Sequence, residues 1–173
     1  MIIHRDLKPE NVGLAGDGRL KIFDFGLCRC VQKRRTQEEV YEMTGNTGSI
    51  RYMAPEVVLN KAYNEKVDVF SFAVVIWTIA KEKVPYKGYD RATHKANVVL
   101  GGERPKLDSS WPQSFCNLLD ACWHRNIERR PTMSQVSLQL TAIIESGDAT
   151  VSARTKSSGG LFRKLSNAFM LKK

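Results

Sequence analysis

The amino-acid sequence predicts an α+β fold, mainly α-helical, with a small strand pair at one edge. Three observations predict it. Residues 67–80 are apolar on nearly every helical face, the mark of a helix buried on all sides. Three later segments each open on helix-starting chemistry and continue with apolar residues at helical spacing. Near the N-terminus, two short apolar runs flank the turn-forming Ala15-Gly16-Asp17-Gly18, as in a hairpin.

Taken in order, Val12-Gly13-Leu14 and Leu20-Lys21-Ile22-Phe23 are the expected strands of a hairpin over residues 12–24. Residues 27–47 are polar and charge-rich, consistent with a mobile loop. Asn64-Glu65-Lys66 supplies a cap and first turn for the helix over 67–80. That helix is shorter than the ~20 residues a bilayer crossing needs, and it carries Asp68. Asp90 caps a second helix, which Gly101-Gly102 ends. Trp111-Pro112 starts a third, with Phe115, Leu118, Leu119 and Cys122 on one side. Thr132-Met133-Ser134-Gln135 has the form of a capping box for a fourth, which directs Val136, Leu140, Ile143 and Ile144 inward. From residue 146 the composition turns to Ser, Gly, Thr and Lys, so a domain over 1–145 and a tail over 146–173 are expected.

With 173 residues, 42% hydrophobic and 26% charged, the chain is long and apolar enough for one real core plus a tail. Its formal charge is +9, but six of the 27 basic residues and one of the 18 acidic ones lie beyond residue 146, so over half the excess belongs to the tail. That tail has few interleaved aromatics for stacking on bases, and no nucleic-acid partner is expected. Four cysteines (Cys28, Cys30, Cys116, Cys122) form no zinc-type spacing and follow no targeting segment. Reduced thiols and a cytoplasmic location are therefore expected, with the nucleus left open.

The chemistry is concentrated in His4-Arg5-Asp6-Leu7-Lys8-Pro9-Glu10-Asn11, followed by Asp24-Phe25-Gly26. In this order and at this separation the two segments resemble the catalytic loop and metal-binding triplet of eukaryotic-type protein kinases. The resemblance implies a protein-kinase-like fold, here the C-terminal lobe from the catalytic loop onward, without the N-terminal lobe. It implies ATP and Mg²⁺ as cofactors and protein substrates. Asp6 takes the position of the base that accepts or orients the proton of the substrate hydroxyl, and Lys8 that of the group reaching the transferred phosphate. Asn11 and Asp24 are the implied magnesium ligands, both hard oxygen donors. His4 and Phe25 would pack together beneath the site, while Gly26 would permit the turn that aims Asp24.

The resemblance continues through Gly48-Ser49-Ile50-Arg51-Tyr52-Met53-Ala54-Pro55-Glu56, which is similar to the end of an activation segment. It places the Ser49 hydroxyl against the catalytic Asp and Lys, pairs Glu56 with Arg130, and has Asp68 hydrogen-bond the catalytic-loop backbone. Lys8-Pro9-Glu10 resembles the serine/threonine pattern. Cys122-Trp123 and Arg130-Pro131-Thr132-Met133 resemble the tyrosine-kinase-like branch, whose members mostly phosphorylate Ser/Thr. Arg5 could clamp a phosphate on Thr44 or Thr47, and Lys33-Arg34-Arg35-Thr36 is a basic run of the kind other kinases read.

Some of the pattern is missing. There is no G-x-G-x-x-G, no strand lysine with its helix glutamate, and no long helix ahead of Met1 to pack on the central one. The expectation is that Met1 is not the natural start, or that the rest of the gene was not captured. On its own the chain should have negligible phosphotransfer activity and marginal stability, with the 67–80 helix partly uncovered. Gly13 stands where the family places a large apolar residue under the adenine ring, which predicts weaker nucleotide binding. Besides protein substrates, the expected partners are the missing lobe or a partner kinase. The alternative is a non-catalytic docking module that binds through the 90–101 helix and the activation segment. In the tail, Leu161, Phe162, Leu165, Phe169 and Met170 fall mostly along one helical side among bases. Contact with a membrane surface, insertion into a calmodulin-like groove, folding back on the body and disorder all remain open for 161–173.

Overall fold

The computed structural model describes residues 1–32, 40–46 and 48–145; the basic run 33–36, Thr47 and the tail 146–173 lie outside the described residues. Four short strands come first, β1 (Ile2–Ile3), β2 (Val12–Leu14), β3 (Leu20–Ile22) and β4 (Arg29–Cys30). The helices α1 (Pro55–Val58), α2 (Lys66–Lys81), α3 (Arg91–His94), α4 (Gln113–Cys122) and α5 (Met133–Glu145) follow.

The β2–β3 hairpin forms where the turn chemistry places it, with Val12 opposite Ile22, Gly13 opposite Lys21 and Leu14 opposite Leu20. Gly18 closes its turn in the left-handed region (φ 80°) and donates its N–H to the Ala15 carbonyl at 2.8 Å. A second antiparallel pair was not expected. β1 pairs with β4, Ile2 opposite Cys30 and Ile3 opposite Arg29, so part of the polar 27–47 stretch is strand. Two residues are too few to carry a period; the pairing is selected by the burial of Ile3 in the core and extended by the Val31 N–H on the Met1 carbonyl at 2.9 Å, with Val31 packed against the same core.

The helix expected over 67–80 is α2, and both of its long sides are apolar. Asn64 Oδ1 accepts the Lys66 N–H at 3.1 Å at its start, and Glu82 ends it in a left-handed conformation (φ 52°). On one side Phe70, Val74 and Trp77 join Phe115, Leu119 and Trp123 of the α4 region and Val136 and Leu140 of α5 in the core. The other side borders an apolar groove of about 290 Å³, lined by Leu7, Val12, Ile22, Phe72, Ile79 and Leu140. Among the described residues no helix is long and apolar enough to cross a membrane.

Asp90 caps α3 by accepting the Thr93 N–H at 2.7 Å. The α-helix is short, however: Lys95–Leu100 continues it as a wider π-turn, closed by Gly101 N–H on the Ala96 carbonyl at 2.8 Å before Gly102 turns left-handed (φ 80°). At the head of α5 the capping box is complete. Thr132 N–H donates to Gln135 Oε1 at 2.8 Å, and Gln135 N–H donates to Thr132 Oγ1 at 3.3 Å.

Candidate active site

The first turn of α2 positions the loop that carries the candidate site. The Asp68 carboxylate accepts the His4 N–H at 2.7 Å and the Arg5 N–H at 2.9 Å, and Arg5 takes a left-handed backbone (φ 69°) between them. Burial pushes the Asp68 carboxyl above its ordinary value, and the two N–H bonds oppose that push. The 3₁₀ turn Pro9–Asn11 then returns Asn11 beneath Asp6.

Four groups converge there. Lys8 Nζ lies 2.7 Å from Asp6 Oδ2, and Asn11 Nδ2 donates to the Asp6 carbonyl at 2.9 Å and to Oδ2 at 3.2 Å. From across the chain, the Ser49 N–H reaches Asp6 Oδ1 at 2.8 Å. Burial alone would raise the Asp6 carboxyl; the Lys8 ammonium and the Ser49 contacts outweigh it and hold the group below its ordinary value. The same hydrogen bond keeps Lys8 above its usual range, so both remain charged. Ser49 meets Asp6 through its backbone N–H, and it shares no hydrogen bond with Lys8. Gly48 makes the approach possible, because a Cβ there would lie 2.6 Å from the Arg5 carbonyl oxygen.

Asp24 stands apart from this cluster. It is exposed and shares no hydrogen bond with Asp6, Lys8 or Asn11, although its charge is felt at Lys8. The turn that aims it is made by Asp24 itself (φ 56°), a correction to the expectation that Gly26 provides it. Gly26 is not left-handed and instead donates its N–H to Asp24 Oδ1 at 3.3 Å. The His4 and Phe25 rings meet edge-on at 5.4 Å, and His4 Nε2 lies 3.1 Å from the Phe23 carbonyl. Phe25 is nonetheless 60% exposed, so it flanks the site and is not buried beneath it.

The flanking residues fall into two groups. Arg5 Nη1 donates to Thr44 Oγ1 at 3.0 Å and to the Tyr63 hydroxyl at 3.2 Å, while its Nε donates to the Leu27 carbonyl at 2.6 Å. Farther off, Arg130 grips Glu56 with two bonds, of 2.5 and 2.9 Å, and also donates to the His124 carbonyl. Sequence reasoning missed Tyr63, whose hydroxyl joins Arg5 to the Thr44 carbonyl, and Ser71, whose hydroxyl donates to the Tyr52 carbonyl at 2.8 Å. It also missed Phe23. A Cβ on Gly13 would lie 2.7 Å from the Phe23 ring, so that ring occupies the space a larger residue 13 would take. The lone glycine in a three-residue strand was the available clue.

As for a metal, the described residues contain no cluster of three or more His, Cys, Asp or Glu. Asn11 commits its amide nitrogen to Asp6, so its side-chain oxygen is the atom that would hold a cation, and Asp24 offers an exposed carboxylate. Two hard oxygen donors fit an ion that keeps water and phosphate oxygens in its shell, as magnesium does.

A family model for protein tyrosine and serine/threonine kinases matches residues 1–140. Mitogen-activated protein kinase kinase kinase 7 of Drosophila melanogaster is 42% identical over 136 residues, which cover 78% of this chain and 19% of that protein. Serine/threonine-protein kinase VIK of Arabidopsis thaliana is 39% identical over 151 residues, covering 84% of this chain and 33% of the relative. Serine/threonine/tyrosine-protein kinase HT1, also of Arabidopsis thaliana, is 35% identical over 150 residues, covering 87% and 36%. The chain thus spans about a third or less of the length of these three relatives.

Proposed function

The chain belongs to the protein tyrosine and serine/threonine kinase family, and from that premise we propose that it is the helical lobe of an enzyme that transfers the γ-phosphate of ATP to serine and threonine hydroxyls of proteins. The convergence of Lys8, Asn11 and Ser49 on the Asp6 carboxylate supports this reading above all else. The serine/threonine assignment draws further support from Lys8-Pro9-Glu10 and from the printed name of the VIK relative.

In this reading Asp6, held ionised, accepts or orients the proton of the attacking hydroxyl. Lys8 keeps a positive charge beside it, where negative charge develops on the phosphoryl oxygens. Asn11 and Asp24 would hold magnesium, which supplies electrostatic stabilisation of the phosphates when bound. The Arg5 guanidinium already reaches the Thr44 hydroxyl, so a phosphate there would gain a charge-assisted contact and tie the activation segment to the catalytic loop. Thr47 is the alternative acceptor. The working location is the cytoplasm, with residues 1–145 as the folded domain and 146–173 as its tail.

The test is ATP-dependent phosphate transfer to a mixed serine/threonine protein substrate by the full-length protein that contains this chain. Asp6→Asn should lower the rate by ~10²–10⁴ with folding unchanged. Equal rates for the two proteins would reject the role given to Asp6.

A further inference from the structure

The Arg5 side chain is buried, and among the described residues every acceptor its guanidinium meets is neutral: the Leu27 carbonyl, the Thr44 hydroxyl and carbonyl, and the Tyr63 hydroxyl. A buried cation held only by neutral groups depends heavily on each of them. Tyr63 acts there in both directions. Its hydroxyl accepts from Arg5 Nη1 at 3.2 Å and donates to the Thr44 carbonyl at 3.0 Å, so one phenol links the catalytic loop to the activation segment. Tyr63 is 0% exposed and belongs to the hydrophobic core just ahead of α2, which fixes where that hydroxyl stands.

A second observation is how the activation segment lies along residues 57–63. The Tyr41 N–H donates to the Tyr63 carbonyl at 2.8 Å and the Tyr63 N–H donates back to the Tyr41 carbonyl at 3.2 Å, an isolated antiparallel bridge. Farther on, the Gly45 N–H donates to Asn60 Oδ1 at 2.9 Å and the Asn46 N–H to the Val57 carbonyl at 2.8 Å. Gly48 then lies against the Arg5 carbonyl, and the Ser49 N–H reaches Asp6 Oδ1. The segment is thus tied to Tyr63 on one side and to the candidate catalytic carboxylate on the other.

We propose that Tyr63 is a positioning residue for phosphotransfer: its hydroxyl holds the activation segment on Arg5 in the unmodified chain and so seats the Ser49 N–H on Asp6. The proposal rests on the protein-kinase reading above. Two duties meet at one guanidinium. A phosphate on Thr44 would bring Arg5 a charged acceptor, whereas Tyr63 supplies a neutral one that needs no modification. The hydroxyl carries the role, and the ring does not. Phenylalanine at 63 would fill the same core space and keep the backbone bridge to Tyr41, but Arg5 would lose an acceptor and the Thr44 carbonyl its 3.0 Å donor.

The test is NMR-detected hydrogen exchange of the 173-residue chain. In Tyr63→Phe the Gly45, Asn46 and Ser49 amides should exchange about tenfold faster than in the parent, while the Val74 and Val75 amides of α2 stay within about twofold. Tyr86→Phe is the control: it removes a buried hydroxyl that has no hydrogen-bond partner, and it should leave all of these amides within about twofold. Adding Thr44→Glu to Tyr63→Phe returns a charged acceptor to Arg5 and should bring the segment back to within about threefold of the parent. In the full-length protein that contains this chain, Tyr63→Phe should lower kcat about tenfold with the KM for ATP within about twofold, and Thr44→Glu should restore most of the loss. Unchanged exchange in the segment, equal acceleration in the segment and α2, or no recovery with Thr44→Glu would overturn the proposal. Exchange and phosphotransfer fail separately. An inactive full-length protein in which Tyr63→Phe still frees the segment counts against the kinase reading alone. An active one whose kcat is the same in Tyr63→Phe counts against the positioning role alone.

Discussion

Asp68 holds Arg5 in a left-handed backbone conformation: Oδ1 accepts the Arg5 N–H at 2.9 Å while the residue sits at φ 69°. The other oxygen takes the His4 N–H, so a single side chain on α2 satisfies two buried donors in the loop that presents Asp6. Asp68→Ala leaves both donors unsatisfied and should lower stability by about 2–5 kcal/mol. Asp68→Asn keeps one acceptor and should lose roughly half as much. Urea unfolding of the two variants checks the order; equal midpoints would remove Asp68 as the anchor.

The Glu56–Arg130 pair is a second such anchor, with Arg130 1% exposed and its guanidinium also over the Phe70 ring. Removing either partner strands a desolvated charge, so Glu56→Ala or Arg130→Met should each destabilise by about 3–5 kcal/mol. The double change to Met should recover part of that loss. Thermal unfolding of the single and double variants reads the difference, and strictly additive losses would show that the two residues are not coupled.

For Asp6 the folded-state carboxyl titrates below its ordinary value of 3.8. A depressed carboxyl contributes stability that is present above the ordinary value and is lost as pH falls through the lower folded one. The stability difference between the parent and Asp6→Asn should therefore stay level from about pH 8 to about pH 5 and change only below about pH 4. Denaturant titrations across that range test it, and a change centred near neutral pH would contradict the Asp6–Lys8 geometry.

Gly13 and Phe23 share one space. Gly13→Leu should displace the Phe23 ring and cost about 1–3 kcal/mol, by overpacking. Adding Phe23→Ala should relieve most of that cost, giving a non-additive double-mutant cycle. Additive losses would mean that the ring does not fill the position.

Much of the site was legible because it is local. Lys8 is two residues from Asp6 and Asn11 is five, so a loop and one 3₁₀ turn suffice to bring the three together. The capping pairs Asp90–Thr93 and Thr132–Gln135 could be read for the same reason. The partnerships of Glu56 with Arg130 and of Asp68 with the loop backbone were inferred from family resemblance, because nothing in the local pattern reports a contact more than 60 residues away.

By itself, then, the sequence determined which chemical groups are present, their order along the chain, and the helices whose period and caps lie within a few residues. The tertiary structure alone decided the β1–β4 pairing and the Phe23 ring over Gly13. Each of these depends on segments meeting across α2 or across a loop. Such meetings are selected by burial of the shared core, a property of the whole packed chain that no short window of residues contains.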